Sequence, residues 1–233
     1  MKKNLLIVAL VAIVFTSCIS TSKTIRFNAI PDETVANENL KNFFRSNPKP
    51  SILLRVPNSN DRASSNTSAD NTSNLLFNAI EKEFLKTGFS VRDRGLFNEV
   101  LSKGNISDYS KIKELTNTDI IVEIANINLS VDYTTNRFTE KIGNKVTEKV
   151  GNYSYTEKGA SVEYKIILVR TNEVAGAYKF NYQPCPNGCV VQSFNFSTKR
   201  KIFQPVLKET VEINAMEEFI KHSTQKLISS FKQ

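Results

Sequence analysis

Residues 119–131, which read DIIVEIANINLSV, decide the fold of this chain. Ile120, Val122 and Ile124 fall on one side of a strand, because successive side chains of a strand point to opposite faces. This run is the longest strand candidate in the sequence. The segments on both sides of it predict helices and further strands, so we expect it to lie in a sheet that helices cover.

The residues before this stretch predict two strands and three helices. Leu76, Ile80 and Phe84 recur every fourth residue, which indicates the apolar face of a helix. The run SILLRV is compact and apolar, as a buried strand should be, whereas FSVRDR alternates like a half-buried one. In chain order we predict a strand at 51–56, a mobile Ser- and Asn-rich loop at 58–74, a helix ending at Gly88, a strand at 89–94, and helices at 96–101 and 109–115.

The residues after this stretch predict a β hairpin and a final helix. ASVEYKIILVR and EVAGAYKFNY read as two strands, which a turn at Thr171 and Asn172 joins. The final helix, at 213–231, has an apolar stripe made of Met216, Phe219, Ile220, Leu227 and Phe231. This order of elements predicts an α/β fold. We expect an α+β sandwich, in which helices pack on a mixed sheet of about five strands.

The first residues have the pattern of a secretory signal peptide. Two lysines precede LLIVALVAIVF, which is too short to cross a bilayer, since a crossing helix needs about 20 residues. The next residues, FTSC at 15–18, resemble the lipobox of bacterial lipoproteins. That resemblance implies that residues 1–17 are removed and that Cys18 becomes an N-terminus with two or three acyl chains such as palmitate. An ordinary signal peptide with a chance cysteine is the alternative.

The residues after Cys18 predict where the protein lies. They contain neither the aspartate that retains enteric lipoproteins in the inner membrane nor an acidic export cluster. By resemblance to these sorting signals, we expect a lipid anchor in the outer membrane, on its periplasmic side. A polar, proline-containing tether with a short helix near 35–44 is expected at 18–50, ahead of a folded domain at 51–233.

Charge and cysteine usage limit the partners and cofactors. Loss of Lys2 and Lys3 with the signal peptide lowers the net charge from +8 to +6, and the surplus is spread through the chain, so nucleic acid is not an expected partner. Cys185 and Cys189 flank a turn in QPCPNGCVVQ and predict a disulfide in an oxidising compartment. Free thiols are the alternative. A metal site is not expected, because structural zinc usually takes four Cys or His ligands.

A repeat lies within an extension at 132–158. Residues 139–159 read TEKIGNKVTEKVGNYSYTEKG and contain Thr-Glu-Lys three times. Lysines would occupy one face of a strand and glutamates the other, and a lysine facing lipid costs about 2–4 kcal/mol, so we do not expect a membrane strand. The segment predicts a polar β hairpin with Gly-Asn as its turn. It is either a solvated extension or a tongue that contacts a partner, and the expected contact residues are Tyr153, Tyr155, Phe138 and Ile142.

Three segments together resemble a known domain. They are NLLFNAIEKEFLKTGFSVRDRGLFNEVLSK at 74–103, LTNTDIIVEI at 115–124 and VEYKIILVRTNEVAGAYKF at 162–180. The sequence resembles the domain shared by the curli-secretion channel lipoproteins and the lipoprotein activators of penicillin-binding proteins. The resemblance implies a lipid-anchored α/β domain. In the first family it also implies a ring of subunits, and in the second a tethered adaptor.

An enzyme and a cofactor are not expected. A serine or cysteine nucleophile usually needs an oriented base, and the only histidine, His222, lies between Lys221 and Ser223 on a predicted helix. No phosphate-binding glycine loop is present in the sequence. We therefore expect a non-catalytic envelope protein that acts as an adaptor or assembly factor for another, unidentified envelope protein. The alternative is a subunit of an oligomeric outer-membrane secretion pore, and homo-oligomer formation stays open.

Overall fold

A computed structural model describes residues 20–55, 67–95, 110–195, 200–203 and 210–231, and the chain divides into two compact units. The core unit consists of the described residues within 29–131, 158–182 and 210–231. The arm unit consists of the described residues within 20–28, 132–157 and 183–203. The arm unit contains the predicted extension, and it also includes N-terminal residues and a later segment that the sequence did not associate with it.

The described residues form nine strands and four helices. In chain order these are β1 (Ser20–Ile25), β2 (Glu33–Ala36), α1 (Glu38–Ser46), β3 (Ser51–Arg55), α2 (Thr67–Lys86), β4 (Ser90–Arg92), α3 (Ser110–Thr116), β5 (Ile120–Ile142), β6 (Lys145–Leu168), β7 (Glu173–Tyr182), β8 (Cys189–Asn195), β9 (Arg200–Phe203) and α4 (Ile213–Ser230). The fold is therefore α+β with a mixed sheet, as predicted. The predicted size of about five strands is wrong, because nine strands pair in the described ranges.

The sheet of the core unit has the order β2-β7-β6-β5-β3-β4. Strand β3 runs parallel to both β4 and β5, whereas β2, β6 and β7 pair antiparallel. The first four residues of β3 are all buried, which fits a parallel strand with both faces covered. The hairpin of β6 and β7 turns at residues 169–172, where Asn172 adopts a positive φ of 56°.

Helices α2 and α4 pack together over the apolar core of this unit. Phe84 of α2 and Ile220 of α4 are fully buried in it, as their helical spacing predicts. The side chain of Gln225 on α4 also donates a hydrogen bond of 2.9 Å to Glu83 on α2. Helix α2 begins at Thr67, inside the segment predicted to be a mobile loop, and the helix predicted at 96–101 lies outside the described residues.

The described part of the predicted tether is folded, and its helix α1 overlaps the short helix expected at 35–44. Strand β2 pairs with β7, and helix α1 buries Leu40 and Phe44 in the core. The side chain of Asn37 caps α1 by accepting a hydrogen bond of 2.9 Å from the backbone N–H of Leu40. The prolines that suggested a tether lie outside these elements, while the apolar pair at i and i+4 gives α1 a face to bury.

The arm unit is built around β1. This strand pairs antiparallel with the end of β5 on one side and with β8 on the other, and β9 pairs with β8. Directly opposed residues are Thr21 and Ile142 at one end of the ladder, and Ile25 and Phe138 at the other. Within the described ranges, no helix combines the length and apolar character that a membrane crossing requires.

Candidate functional site: the hairpin arm

The hairpin of the arm unit ends in a two-residue turn. Strand β5 ends at Ile142 and β6 begins at Lys145, so Gly143 and Asn144 form the turn. Gly143 has a φ of +56°, and no positive φ is found at Asn144. A glycine with positive φ at the first central position is typical of a type II′ turn, whose twist matches the flanking strands. The predicted Gly-Asn turn is thus present, whereas the second Gly-Asn pair, Gly151 and Asn152, lies inside β6.

The Thr-Glu-Lys repeat has a structural explanation in this hairpin. Glu140 of the first triplet forms an ion pair with Lys149 of the second across the two strands. The Lys149 ammonium donates a hydrogen bond to the carboxylate of Glu140 in this pair, and that bond lowers the pKa of Glu140. The positive charges of Lys149 and Lys23 lower it further. In the third triplet, the hydroxyl of Thr156 lies 3.2 Å from the hydroxyl of Thr134. The repeat thus supplies polar cross-strand contacts to a hairpin that buries little apolar surface.

Several apolar side chains of the hairpin are exposed to solvent. Their exposed fractions are 50% for Ile142, 60% for Val146, 68% for Val150 and 82% for Tyr153. Single exposed apolar residues are ordinary, but a run of them along one hairpin suits contact with another molecule. Tyr153 is the most exposed of the four and has the rigid amphipathic side chain that interface hot spots favour.

The four predicted contact residues differ in their exposure to solvent. Tyr153 and Ile142 are exposed, but Tyr155 and Phe138 are only partly exposed. The ammonium of Lys23 on β1 lies 3.9 Å from the centre of the Phe138 ring and covers it as a cation–π contact.

Val146 and Val150 are not among the contact residues that the sequence predicts. Their four-residue spacing with Ile142 suggests a helical stripe, but on the strand β6 the same spacing gives Val146 and Val150 a common exposed face. Ile142 lies on the opposite face, because residues 142 and 145 are paired directly across the two-residue turn and residue 146 follows. The hairpin therefore presents apolar side chains on both of its faces.

Cys185 and Cys189 lie at disulfide distance in the arm unit, with Cα atoms 5.4 Å apart. The loop between them is closed by a hydrogen bond of 2.8 Å from the backbone N–H of Gly188 to the carbonyl of Cys185. Gly188 has a φ of +92°, and a Cβ atom there would come within 2.6 Å of the Thr24 methyl group. Glycine is required at this position because β1 passes directly beside the loop. The pair therefore fixes the chain where β8 begins to pair with β1.

Two polar clusters of the core unit are structural. The hydroxyl of Tyr164 lies 3.3 Å from that of Ser223 and 3.2 Å from that of Thr224, and burial raises the pKa of Tyr164 to about 12. The carboxylate of Asp119 accepts hydrogen bonds from the backbone N–H and the hydroxyl of Ser51, at 3.0 and 2.7 Å. Burial opposes ionisation of Asp119, but these bonds and the ammonium of Lys113 outweigh it, so the pKa of Asp119 is lowered. Asp119 thereby joins the starts of β3 and β5.

The remaining positions that the sequence singled out are His222 and Cys18. His222 is exposed on α4, and its Nε2 atom lies 3.3 Å from a carboxylate oxygen of Glu218. In the part of the chain that the structure describes, no group of three or more His, Cys, Asp or Glu residues is arranged to hold a metal ion. Cys18 lies outside the described residues. Taken together, the fold and the site define an α+β protein with an exposed hairpin arm.

Comparisons with known proteins add little to this assignment. No protein-family model matches the chain, and no curated protein matches it. Among solved structures, the chain is similar to a neuraminyllactose-binding hemagglutinin homolog from Helicobacter pylori, with 10% identity and a TM-score of 0.31. The match covers 89% of this chain and 92% of that one. A similarity at this level supports no inference about fold or function.

Proposed function

We propose that this chain is a lipid-anchored, non-catalytic envelope protein that acts as a periplasmic adaptor by binding another protein through its hairpin arm. The observation that carries the proposal is the 82% exposure of the aromatic side chain of Tyr153 on the hairpin of the arm unit. The signal-like sequence and the FTSC run at 15–18 support the lipid anchor.

The position of the anchor has a consequence for the arm. Strand β1 begins at Ser20, two residues after Cys18 in the sequence, and a chain of that length can separate the two Cα atoms by no more than about 8 Å. Because Thr21 pairs with Ile142, the turn at Gly143 lies at the same end of the ladder as the start of β1. An acylated Cys18 would therefore hold the hairpin turn close to the membrane surface.

The partner-binding residue is expected farther along the arm. Tyr153 lies eight residues after Lys145 on β6, which is about 26 Å along a strand at 3.3 Å per residue. An exposed aromatic side chain at that distance is free of the headgroup region and accessible to a periplasmic protein. We therefore assign the turn end of the arm to the membrane and the region around Tyr153 to the partner.

The experiment is a comparison of partner capture by matched variants. Full-length lipoprotein, cross-linked in intact cells and extracted in mild detergent, is compared with Tyr153→Ser and with Leu85→Ser. Leu85 is also exposed but belongs to α2 of the core unit. We expect Tyr153→Ser to lose the cross-linked protein while Leu85→Ser keeps it. Equal capture by both variants would refute the arm as the binding surface. A ring of many subunits in the same extract would favour the pore alternative.

A further inference from the structure

The core unit contains an open cavity of about 340 Å³ that the proposed function does not use. Its lining comes from α1 and the turn after it, from the residues that follow α2, and from the end of α4. Small-molecule sites usually have volumes of about 300–1,000 Å³ and combine an apolar lining with a few polar groups. The cavity therefore falls at the lower end of the range for a small ligand.

The floor of the cavity is aromatic and already formed. Phe44 and Phe231 stack with their ring centres 4.1 Å apart, and Phe89 meets Phe231 edge-on at 6.5 Å. All three rings are buried in the core of the unit. They belong to three different parts of the chain, so their packing against one another holds the floor in place. Each of these residues keeps a small exposed fraction, 5% for Phe44, 6% for Phe89 and 8% for Phe231, so this apolar part of the lining is formed before a ligand arrives.

The rim of the cavity is positively charged. Lys41, Arg45 and Lys49 line it at four-residue intervals, and the described lining residues include no aspartate or glutamate. Lys41 is paired with Glu38 at 2.8 Å, whereas the hydrogen bond of Arg45, at 3.1 Å, goes to the neutral amide of Asn42.

The side chain of Lys49 lies directly over Gly88. A Cβ atom on Gly88 would come within 2.8 Å of the ammonium of Lys49. Lys49 and Arg45 thus both line the cavity, and none of the described lining residues is a carboxylate.

We propose that this cavity binds a small amphipathic anion, with one short apolar chain against the phenylalanine floor and a carboxylate or phosphate head at Arg45 and Lys49. A purely apolar ligand would leave the cationic rim unused, and inorganic phosphate would make no use of the apolar lining. An anion with one chain satisfies both surfaces at once. This inference goes beyond the proposed function and does not depend on lipidation or on the hairpin arm.

The test uses the full chain in a neutral detergent and native mass spectrometry, in which the mass of the adduct identifies the ligand. The probes are decanoate, a lysophospholipid with a ten-carbon chain, decanol and inorganic phosphate. We expect adducts with decanoate or the lysophospholipid, and the preference between them distinguishes a carboxylate from a phosphate head. Decanol and inorganic phosphate should each bind at least tenfold more weakly.

A charge-matched pair of variants tests the rim. Arg45→Gln/Lys49→Gln should weaken decanoate binding about tenfold, since each exposed ion pair is worth up to about 1 kcal/mol and 1.4 kcal/mol is a factor of ten. Lys82→Gln/Lys165→Gln removes the same charge from exposed positions outside the cavity and should leave binding unchanged. Equal binding of decanoate and decanol, equal loss in both double variants, or no adduct with any probe would each overturn the proposal.

Discussion

The core unit and the arm unit hold their strands in different ways. In the core unit, α2 and α4 cover a sheet whose apolar residues are buried together, and the phenylalanine rings contact one another. In the arm unit, β1 joins β5 and β8 by backbone pairing, with an ion pair and hydroxyl contacts between strands, while Val146 and Val150 stay exposed. The comparison indicates that the core unit buries most of its apolar residues between sheet and helices, whereas the arm buries a smaller set, Ile25, Phe27, Tyr133 and Val191, and leaves the apolar residues that follow its turn exposed.

The largest effect should come from removing a core side chain. Phe84 on α2 is fully buried and packs edge-on against Phe89, with ring centres 5.4 Å apart. We expect Phe84→Ala to lower the free energy of unfolding by about 3–5 kcal/mol, because it leaves a cavity that the neighbours cannot fill. The measurement is urea denaturation of the full-length protein followed by far-UV circular dichroism.

The matched control for this prediction is Val150→Ala in the arm. Val150 is 68% exposed, so the change should alter the free energy of unfolding by no more than about 0.5 kcal/mol. A loss at Val150 comparable to that at Phe84 would contradict the distinction between the units, since it would mean that the arm residue contributes to folding rather than to binding.

A smaller effect is expected from the polar link between β3 and β5. Because the pKa of Asp119 is lowered in the folded state, the folded protein binds fewer protons at this group than the unfolded chain does. The stabilisation is therefore complete above the pKa of the unfolded carboxyl and is lost as the pH falls through the lowered pKa of the folded state. We expect Asp119→Asn to cost about 1–2 kcal/mol at neutral pH, since it weakens hydrogen bonds to a charged group.

Acid titration of stability distinguishes this explanation from a simple packing defect. The parent protein should lose stability between about pH 5 and pH 3 by more than Asp119→Asn does, because the variant has no carboxylate to protonate at this position. Parallel losses for the two proteins over that range would mean that Asp119 contributes no charge-dependent stability. Lys113→Gln serves as an intermediate case, since it removes the ammonium 3.1 Å from Asp119 and leaves the Ser51 bonds.

The core unit and the arm unit also differ in how far their elements can be predicted from the sequence. Strands β3 and β5 and helix α4 were predicted because their apolar periodicity is local, and the turn at Gly143 was predicted from a dipeptide. Strand β1 has no such signal. Its residues 21–24 are polar, and its partner Ile142 is 121 positions later than Thr21, so its pairing depends on contacts that no local pattern encodes.

The candidate site was predicted only in part for a related reason. The hairpin that carries Tyr153 could be predicted from strand-like residues and a turn. The exposure of each side chain depends on which distant parts of the chain pack beside it, and that is not a local property of the sequence. Phe138 is partly covered because Lys23 of β1 reaches its ring, and the sequence gives no sign of that distant contact. Helix α1 overlaps the short helix expected at 35–44, and the Asn37 cap and the spacing of Leu40 and Phe44 are the local signals that place it more exactly.

The smallest expected effect is a change in fluorescence that reports how close the exposed residues of the arm lie to lipid. The chain contains no tryptophan, so a single one gives an unambiguous fluorescence signal. We expect a tryptophan introduced by Val146→Trp to be quenched by brominated lipids when the acylated protein is in vesicles, because residue 146 follows the turn that Cys18 would hold near the bilayer. One introduced by Tyr153→Trp should be quenched little, since it lies about 26 Å from the turn along a strand. The Cys18→Ala form of each variant, which cannot be acylated, should lose the quenching. Strong quenching at 153 with none at 146 would reverse the assignment of the two ends of the arm, and would make the membrane, rather than a protein, the partner of Tyr153.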